Sequence, residues 1–188
     1  MLTLESFKRE WKNCQKCPLH VGVAHHVLYR GEIPAEVMLV GEAPGKVENR
    51  LGRPFVGPSG DLLNSALDRL GLSSFCICNV VCCIPWRSKE AQVIRQPSKE
   101  EAAACNPHLV QLVQLCQPKL VICLGNEAKK HFPTKEFEKT PLTFLRHPAY
   151  ILRNGGKASI EYKRFLEAFH AALDGVGIPC NNPFMQMV

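Results

Sequence analysis

The stretch AEVMLVGEAPGKVENRLGRPFVGPSGDLLNSALDRLG, residues 35–71, decides how this chain folds. It opens on a short, almost wholly apolar run (residues 35–40) of the length of a strand buried on both faces. A loop rich in glycine and proline follows. Then comes SGDLLNSALDRLG, where Ser59 can cap a helix, Leu62, Leu63, Ala66, Leu67 and Leu70 share one face, and Gly71 can end it. Strand, loop and helix make half of a β-α-β unit, and the chain repeats the rhythm. Similar strand-like runs lie at 75–81, 120–124 and 141–145. Helical patterns lie at 98–116, where Pro107 is expected to bend or divide the helix near Asn106, and at 161–173, with Tyr162, Phe165, Leu166, Phe169 and Leu173 on one stripe. The alternation predicts a three-layer α/β/α sandwich around a central, mostly parallel, four-stranded sheet. Residues 20–33 and 86–96 lack strong periodicity.

At 188 residues and 46% hydrophobic, the chain can bury one sizeable core and is too short for two ordinary enzyme domains. The expected organisation is one domain over 1–175, with 176–188 as a loose tail. No window approaches the roughly 20 apolar residues of a bilayer span, and MLTLESFKREWKNC carries charges where a signal peptide would be apolar. A soluble, cytoplasmic protein is expected, monomeric and without a membrane partner. Ten cysteines in such a chain point to thiols or metal ligands in a reducing compartment rather than disulfides. The net charge of +6 favours a polyanionic partner, nucleic acid first.

Cys14 and Cys17 form a C-x-x-C pair just after a short amphipathic helix, a spacing that lets two thiolates face one metal or cluster. A thioredoxin-type dithiol would open a helix, whereas this pair closes one and precedes Pro18. Cys76, Cys78, Cys116 and Cys123 sit in strand or apolar contexts, and Cys180 lies in the tail. Cys82 or Cys83, together with Cys105, are the candidates to complete four thiolates. Spacing leaves zinc and iron–sulfur both open.

GEAPG and GRPFVG (from Gly41), NVVCC (from Asn79), RQPSKEEAAAC (from Arg95), the Leu124–Gly125 pair and HPAYILR (from His147) occur in the order of the motifs of the uracil-DNA glycosylase superfamily. The chain resembles the family-four branch, whose members carry a four-iron, four-sulfur cluster. The resemblance implies Cys14, Cys17, Cys83 and Cys105 as ligands of a [4Fe-4S] cluster that staples loops, and DNA, double- or single-stranded, as partner. It also implies a monofunctional DNA glycosylase that hydrolyses the N-glycosidic bond of a flipped-out pyrimidine and leaves an abasic site.

By that resemblance Glu42 orients water or stabilises positive charge on the sugar, and His147 donates to the carbonyl oxygen of the departing base. Asn79 positions base or water, Phe55 stacks, and Glu48 is a second acid. Residues 150–153 would form a loop entering the minor groove, with Ile151 or Leu152 as a wedge, Arg153 on phosphate and Tyr150 beside them. Lys46, Arg50, Arg53, Arg87 and Lys89 could track the backbone.

Three features depart from the family pattern. Ile94, or Ser88 if counted forward from Cys83, stands where an amide is expected to read the pyrimidine edge. Ala43 replaces a glycine in the pocket floor. The segment from Gly125 to His147 is short. Without the amide, and with Trp86 opening a lengthened loop, the expected substrate widens from uracil to a modified or bulky pyrimidine, including a hypermodified phage base, as in anti-phage defence. A non-catalytic DNA-binding module of the same fold is the alternative.

Overall fold

The strand-like runs form strands because their side chains alternate between two buried faces, leaving no solvent side. In the computed structural model, which describes residues 1–185, the elements are α1 (Leu4–Trp11), β1 (Arg30–Gly31), β2 (Val37–Gly41), α2 (Lys46–Leu51), α3 (Pro58–Leu70) and β3 (Phe75–Asn79). They continue with β4 (Trp86–Ser88), β5 (Val93–Ile94), α4 (Lys99–Cys116), β6 (Leu120–Leu124), α5 (Asn126–His131), β7 (Leu142–Leu145), α6 (Pro148–Arg153) and α7 (Ile160–Asp174). The main sheet has the order β1-β3-β2-β6-β7 and is parallel except for β1. The register sets Leu39 beside Ile77 and Ile122. Met38, Val40, Cys76, Cys78, Val121 and Cys123 face one core, shared with α1 and α4. Val37, Leu39, Ile77, Leu120, Ile122 and Leu124 face the other, shared with α3 and α7. These are the three layers expected. β2 lies between β3 and β6, so the chain crosses to opposite sides of it, which opens a crevice at the carboxyl ends of the strands.

The sheet has five strands rather than four. The extra one, β1, is two residues long and pairs antiparallel with β3 inside the aperiodic 20–33 segment. Gly31 sits there at φ +95°, where an added Cβ would run into the Phe75 carbonyl. Residues 86–96 fold into a separate hairpin of β4 and β5. α3 starts at Pro58 with Gly57 as its cap, ahead of Ser59, because proline at the first turn needs no N–H partner. α4 runs unbroken through Pro107. Pro107 and Ala103, whose carbonyl loses its donor, both face solvent, so water can satisfy that carbonyl.

The segment after Gly175 is no loose end over its described length. Ile178 is buried, Val176, Cys180 and Phe184 pack on the α3–α7 core, Asn181 N–H donates to the Leu70 carbonyl at 2.8 Å, and Arg69 Nε donates to the Pro183 carbonyl at 2.7 Å. Residues 186–188 lie outside the described residues. No helix among the described residues is long and apolar enough to cross a membrane.

Candidate active site and metal centre

The crevice at the strand ends holds a cavity of about 270 Å³, lined by Ala43, Lys46, Glu48, Phe55, Asn79 and His147 among others. This places it near the small end of ligand pockets, which run from roughly 300 Å³ upward. Its floor requires Gly41, because a Cβ there would meet Asn79 Oδ1 and the ring edge of Phe55. Phe55 holds φ +52°, a left-handed conformation that costs a bulky residue on the order of 1 kcal/mol and must be fixed by its surroundings. Arg30 supplies that support: Nε donates to the Pro54 carbonyl at 2.8 Å, and Nη2 to the Phe55 carbonyl at 3.4 Å and to Asn64 Oδ1 at 2.6 Å. Burial, then Arg53, lowers the Arg30 pKa. Gly60 lets α3 approach, since a Cβ there would strike the Phe55 carbonyl.

Glu48, expected as a substrate-binding acid, uses its carboxylate on the loop itself. Oε1 accepts from the backbone N–H of Val56 at 3.0 Å and of Gly57 at 2.8 Å, and Oε2 from that of Gly45 at 3.1 Å. His147 caps α6: its Nδ1 accepts from Ala149 N–H at 3.1 Å, and its ring lies 5.7 Å from that of Phe55. Burial, then Arg153, lowers its pKa to about 4, so the ring is neutral at pH 7. With Nδ1 as acceptor, the proton sits on Nε2, which is left free to donate. Glu42 follows Gly41 at the end of β2 and is not among the residues lining the cavity. Burial, then the charge of Glu127, raises its pKa, and among the described residues no hydrogen bond or ion pair engages its carboxylate.

Several expected site residues lie elsewhere. Ser88 and Ile94 sit on the β4–β5 hairpin, Ile94 39% exposed and Ser88 accepting from Ala91 N–H at 3.0 Å, and neither lines the strand-end cavity. Residues 150–153 belong to the helix α6 rather than a loop, since Pro148 and the His147 cap start a turn there. Ile151 is fully buried in the α3–α7 core and cannot be a wedge, whereas Leu152 is 37% exposed and Arg153 is exposed. The Tyr150 ring carries Arg146 at 4.6 Å. Arg30 and Asn64 were missed by sequence reasoning, and the aperiodic run around Arg30 offered no signal for it.

On the opposite side of β3's end, Cys14, Cys17, Cys82, Cys83 and Cys105 line one small cavity. Cys14 follows α1, Cys17 caps a 3-10 turn (Pro18–His20), Cys82 and Cys83 follow β3, and Cys105 lies in α4. His26 Nε2 and His20 Nδ1 hold the carbonyls of Cys14 and Cys17 at 2.8 and 2.7 Å. Arg95 forks onto Glu101 at 2.6 and 2.7 Å, and Glu101 forms a capping box with Ser98, which fixes the start of the helix that carries Cys105. Burial, then Cys105, Cys17 and Cys14, pushes Cys83 up to about 12. Cys82 Sγ lies 3.7 Å from Cys105 Sγ, and these two sulfurs and a ring nitrogen of the buried His108 lie within 4.8 Å of one another. Thiols gathered from separate segments around one small cavity, with no oxygen donor in the set, fit an iron–sulfur cluster.

A family model of the uracil DNA glycosylase superfamily matches residues 28–173, and the chain belongs to that superfamily. Its relatives include type-4 uracil-DNA glycosylases. That of Pyrobaculum aerophilum is 46% identical over 116 residues, 61% of this chain and 56% of the relative. That of Thermotoga maritima is 32% identical over 169 residues, 80% of this chain and 84% of the relative. That of Archaeoglobus fulgidus is 34% identical over 160 residues, 84% and 77%. The solution structure of a Methanosarcina acetivorans protein described as a uracil DNA glycosylase aligns with a TM-score of 0.51 at 10% identity, covering 77% of this chain and 94% of that one, and shares the fold.

Proposed function

We propose that the chain is a monofunctional uracil-DNA glycosylase, which hydrolyses the N-glycosidic bond of an extruded deoxyuridine and leaves an abasic site. The observation that carries this is the meeting of an aromatic ring, an amide and a neutral imidazole around a cavity sized for a single-ring base. Phe55 stacks on the base. Asn79 reads its edge, the amide oxygen accepting from N3–H while the amide nitrogen donates to O4. His147 Nε2–H donates to O2 as negative charge gathers on the leaving base. Glu42, ionised, holds water toward the sugar and offsets its positive charge. Glu48 serves by fixing the loop. Leu152 and Arg153, exposed on α6, face the DNA.

Asn79 supplies the amide expected at Ile94 or Ser88, so the ground for a bulky or hypermodified pyrimidine, and with it for anti-phage defence, disappears. Uracil is the substrate that the site and its relatives support. Cys14, Cys17, Cys83 and Cys105 hold the cluster: the neighbours that act on Cys83 are the other three. When bound, the cluster cross-links α1, β3 and α4 behind the pocket and takes no part in hydrolysis. The base pocket is complete within one chain, which suits a monomeric enzyme acting as one domain that includes the packed segment after Gly175.

Free uracil and abasic sites are measured after incubation with uracil-containing DNA, single- and double-stranded. Release by the wild type, lost in Glu42→Gln and His147→Ala while DNA binding persists, is the expected result. Binding without release, or release that neither substitution affects, would favour the binding module or a different site.

A further inference from the structure

Resting on that reading of the first cavity, we propose that the cavity beside it is a second nucleotide subsite, which takes the neighbouring nucleotide of the same DNA strand, its base on Trp86 and its phosphate on Lys46, Arg50 and Lys89. This second cavity, about 420 Å³, shares Lys46 and Val47 of α2 with the base pocket, so the two are separated by one wall. Its other walls are the loop at Gly22 and the β4–β5 hairpin.

The hairpin buries little of itself. Val93 and Ile94 are exposed, and strands of three and two residues are not stable alone. It is held at its base, where Arg95 N–H donates to the Pro85 carbonyl at 2.9 Å and the Arg95 side chain forks onto Glu101. Its tip is closed by Ser88 Oγ, which accepts from Ala91 N–H, and by the Lys89 carbonyl, which accepts from Gln92 N–H at 3.2 Å and from the Gln92 amide at 2.9 Å. An element so firmly anchored and so poor in core is accounted for by what it walls in.

The chemistry of that wall is mixed in the way a nucleotide requires. Trp86 presents a half-buried indole whose N–H is buried without an acceptor among the described residues, and an indole face stacks on any base. Lys46, Arg50 and Lys89 are exposed, and none makes an ion pair among the described residues. The nearby acid, Glu48, has turned its carboxylate onto three backbone N–H groups, and the Lys89 ammonium lies over Gly22. Unneutralised cations beside an aromatic face suit phosphate and base together. The shared wall makes the occupant the nucleotide next to the extruded one rather than a free nucleotide.

Binding of end-labelled oligonucleotides that carry a hydrolysis-resistant, 2′-fluorinated uridine tests this, with affinity read by anisotropy of the label, tryptophan fluorescence as the report on Trp86, and uracil release from unmodified deoxyuridine DNA measured in parallel. Replacing the adjacent nucleotide by an abasic spacer should weaken wild-type binding about tenfold, the worth of one base–aromatic stack. Trp86→Ala should weaken binding to normal DNA by the same factor, lose the fluorescence response and become indifferent to the spacer. Lys89→Ala, at the exposed tip, should lower the slope of log affinity against log salt by about 1. If Trp86→Ala does not fold, Trp86→Phe, which keeps a stacking ring, should retain sensitivity to the spacer. Uracil release by a wild type that ignores the spacer, with Lys89→Ala leaving the salt slope unchanged, overturns the subsite and spares the function. Spacer-sensitive, Trp86-dependent binding without release of uracil overturns the function and spares the subsite.

Discussion

The two cavities that flank the end of β3 are built on opposite plans. In the base pocket the protein completes its own hydrogen bonding: Glu48 satisfies three N–H groups, Arg30 three acceptors, and His147 caps its helix. In the cysteine cavity, thiols from separate segments converge without completing one another's bonding, and burial raises the pKa of Cys17 and Cys83. The first is pre-organised by the fold. The second is finished only by a cation, so its metal affinity is also folding free energy. Asymmetry of this kind separates what the cluster does for stability from what the pocket does for chemistry.

The double variant Cys83→Ser Cys105→Ser tests the contrast most severely. It should lose all iron and melt about 10 °C or more below the wild type, the shift that several kcal/mol produce in a chain of this size. The fraction that stays folded should still release uracil at near the wild-type rate. A collapse of turnover per folded molecule would join the two regions and break the comparison. Elemental analysis, calorimetry and single-turnover assays decide it.

On the pocket side, His147→Ala should lower single-turnover uracil release by about 10²–10³, the usual cost of one donor to a developing anion. Glu42→Gln should lower it comparably while raising the melting midpoint by about 2–4 °C, since it removes a half-buried charge. The wild-type rate should fall on acidification from above the ordinary carboxylate range, because the active form is ionised and burial has raised its pKa.

His147 also gives the pocket a pH signature in stability. Its pKa is about 4 folded and 6.5 unfolded, so the unfolded chain binds the proton first. The stability it contributes is whole above pH 6.5 and is lost as pH falls through about 4, approaching roughly 3 kcal/mol. Denaturation of the wild type and His147→Asn at pH 7 and 4.5 should show the smaller loss in the variant, and equal losses would refute the assignment. The smallest effect is expected from Arg30→Ala, which leaves Phe55 without its brace and should slow release about tenfold with iron unchanged.

The strands, the major helices and the three layers were legible in the sequence because buried parallel strands leave long apolar runs between glycines. β1 was not: two residues carry no period, and its reason for existing is a side chain, Arg30, that reaches a loop 25 residues on. Pro107 misled because its effect depends on whether water reaches Ala103, which no local pattern encodes. The cysteine positions could be narrowed by context, and the choice of Cys83 over Cys82 came from a motif, since adjacent residues after a strand can face either way. Ile94 was the least legible: local sequence sets it where an amide is expected, whereas the hairpin carries it away from the cavity and leaves Asn79, at the end of β3, as the amide in the pocket wall.

One carboxylate spanning from Gly45 to Gly57 turns the intervening chain into a closed ring, sealed by Glu48 at three points. A ring of fixed circumference cannot absorb an inserted or deleted residue without opening at both seals. Drift in length is therefore barred between those two glycines and permitted a short distance away, at the hairpin tip around Glu90, where turn bonds alone would have to re-form. The neighbourhood of the base pocket thus has one component inherited as a unit and another open to remodelling, and evolution or an engineer can change what surrounds the extruded nucleotide while leaving the frame that presents it intact.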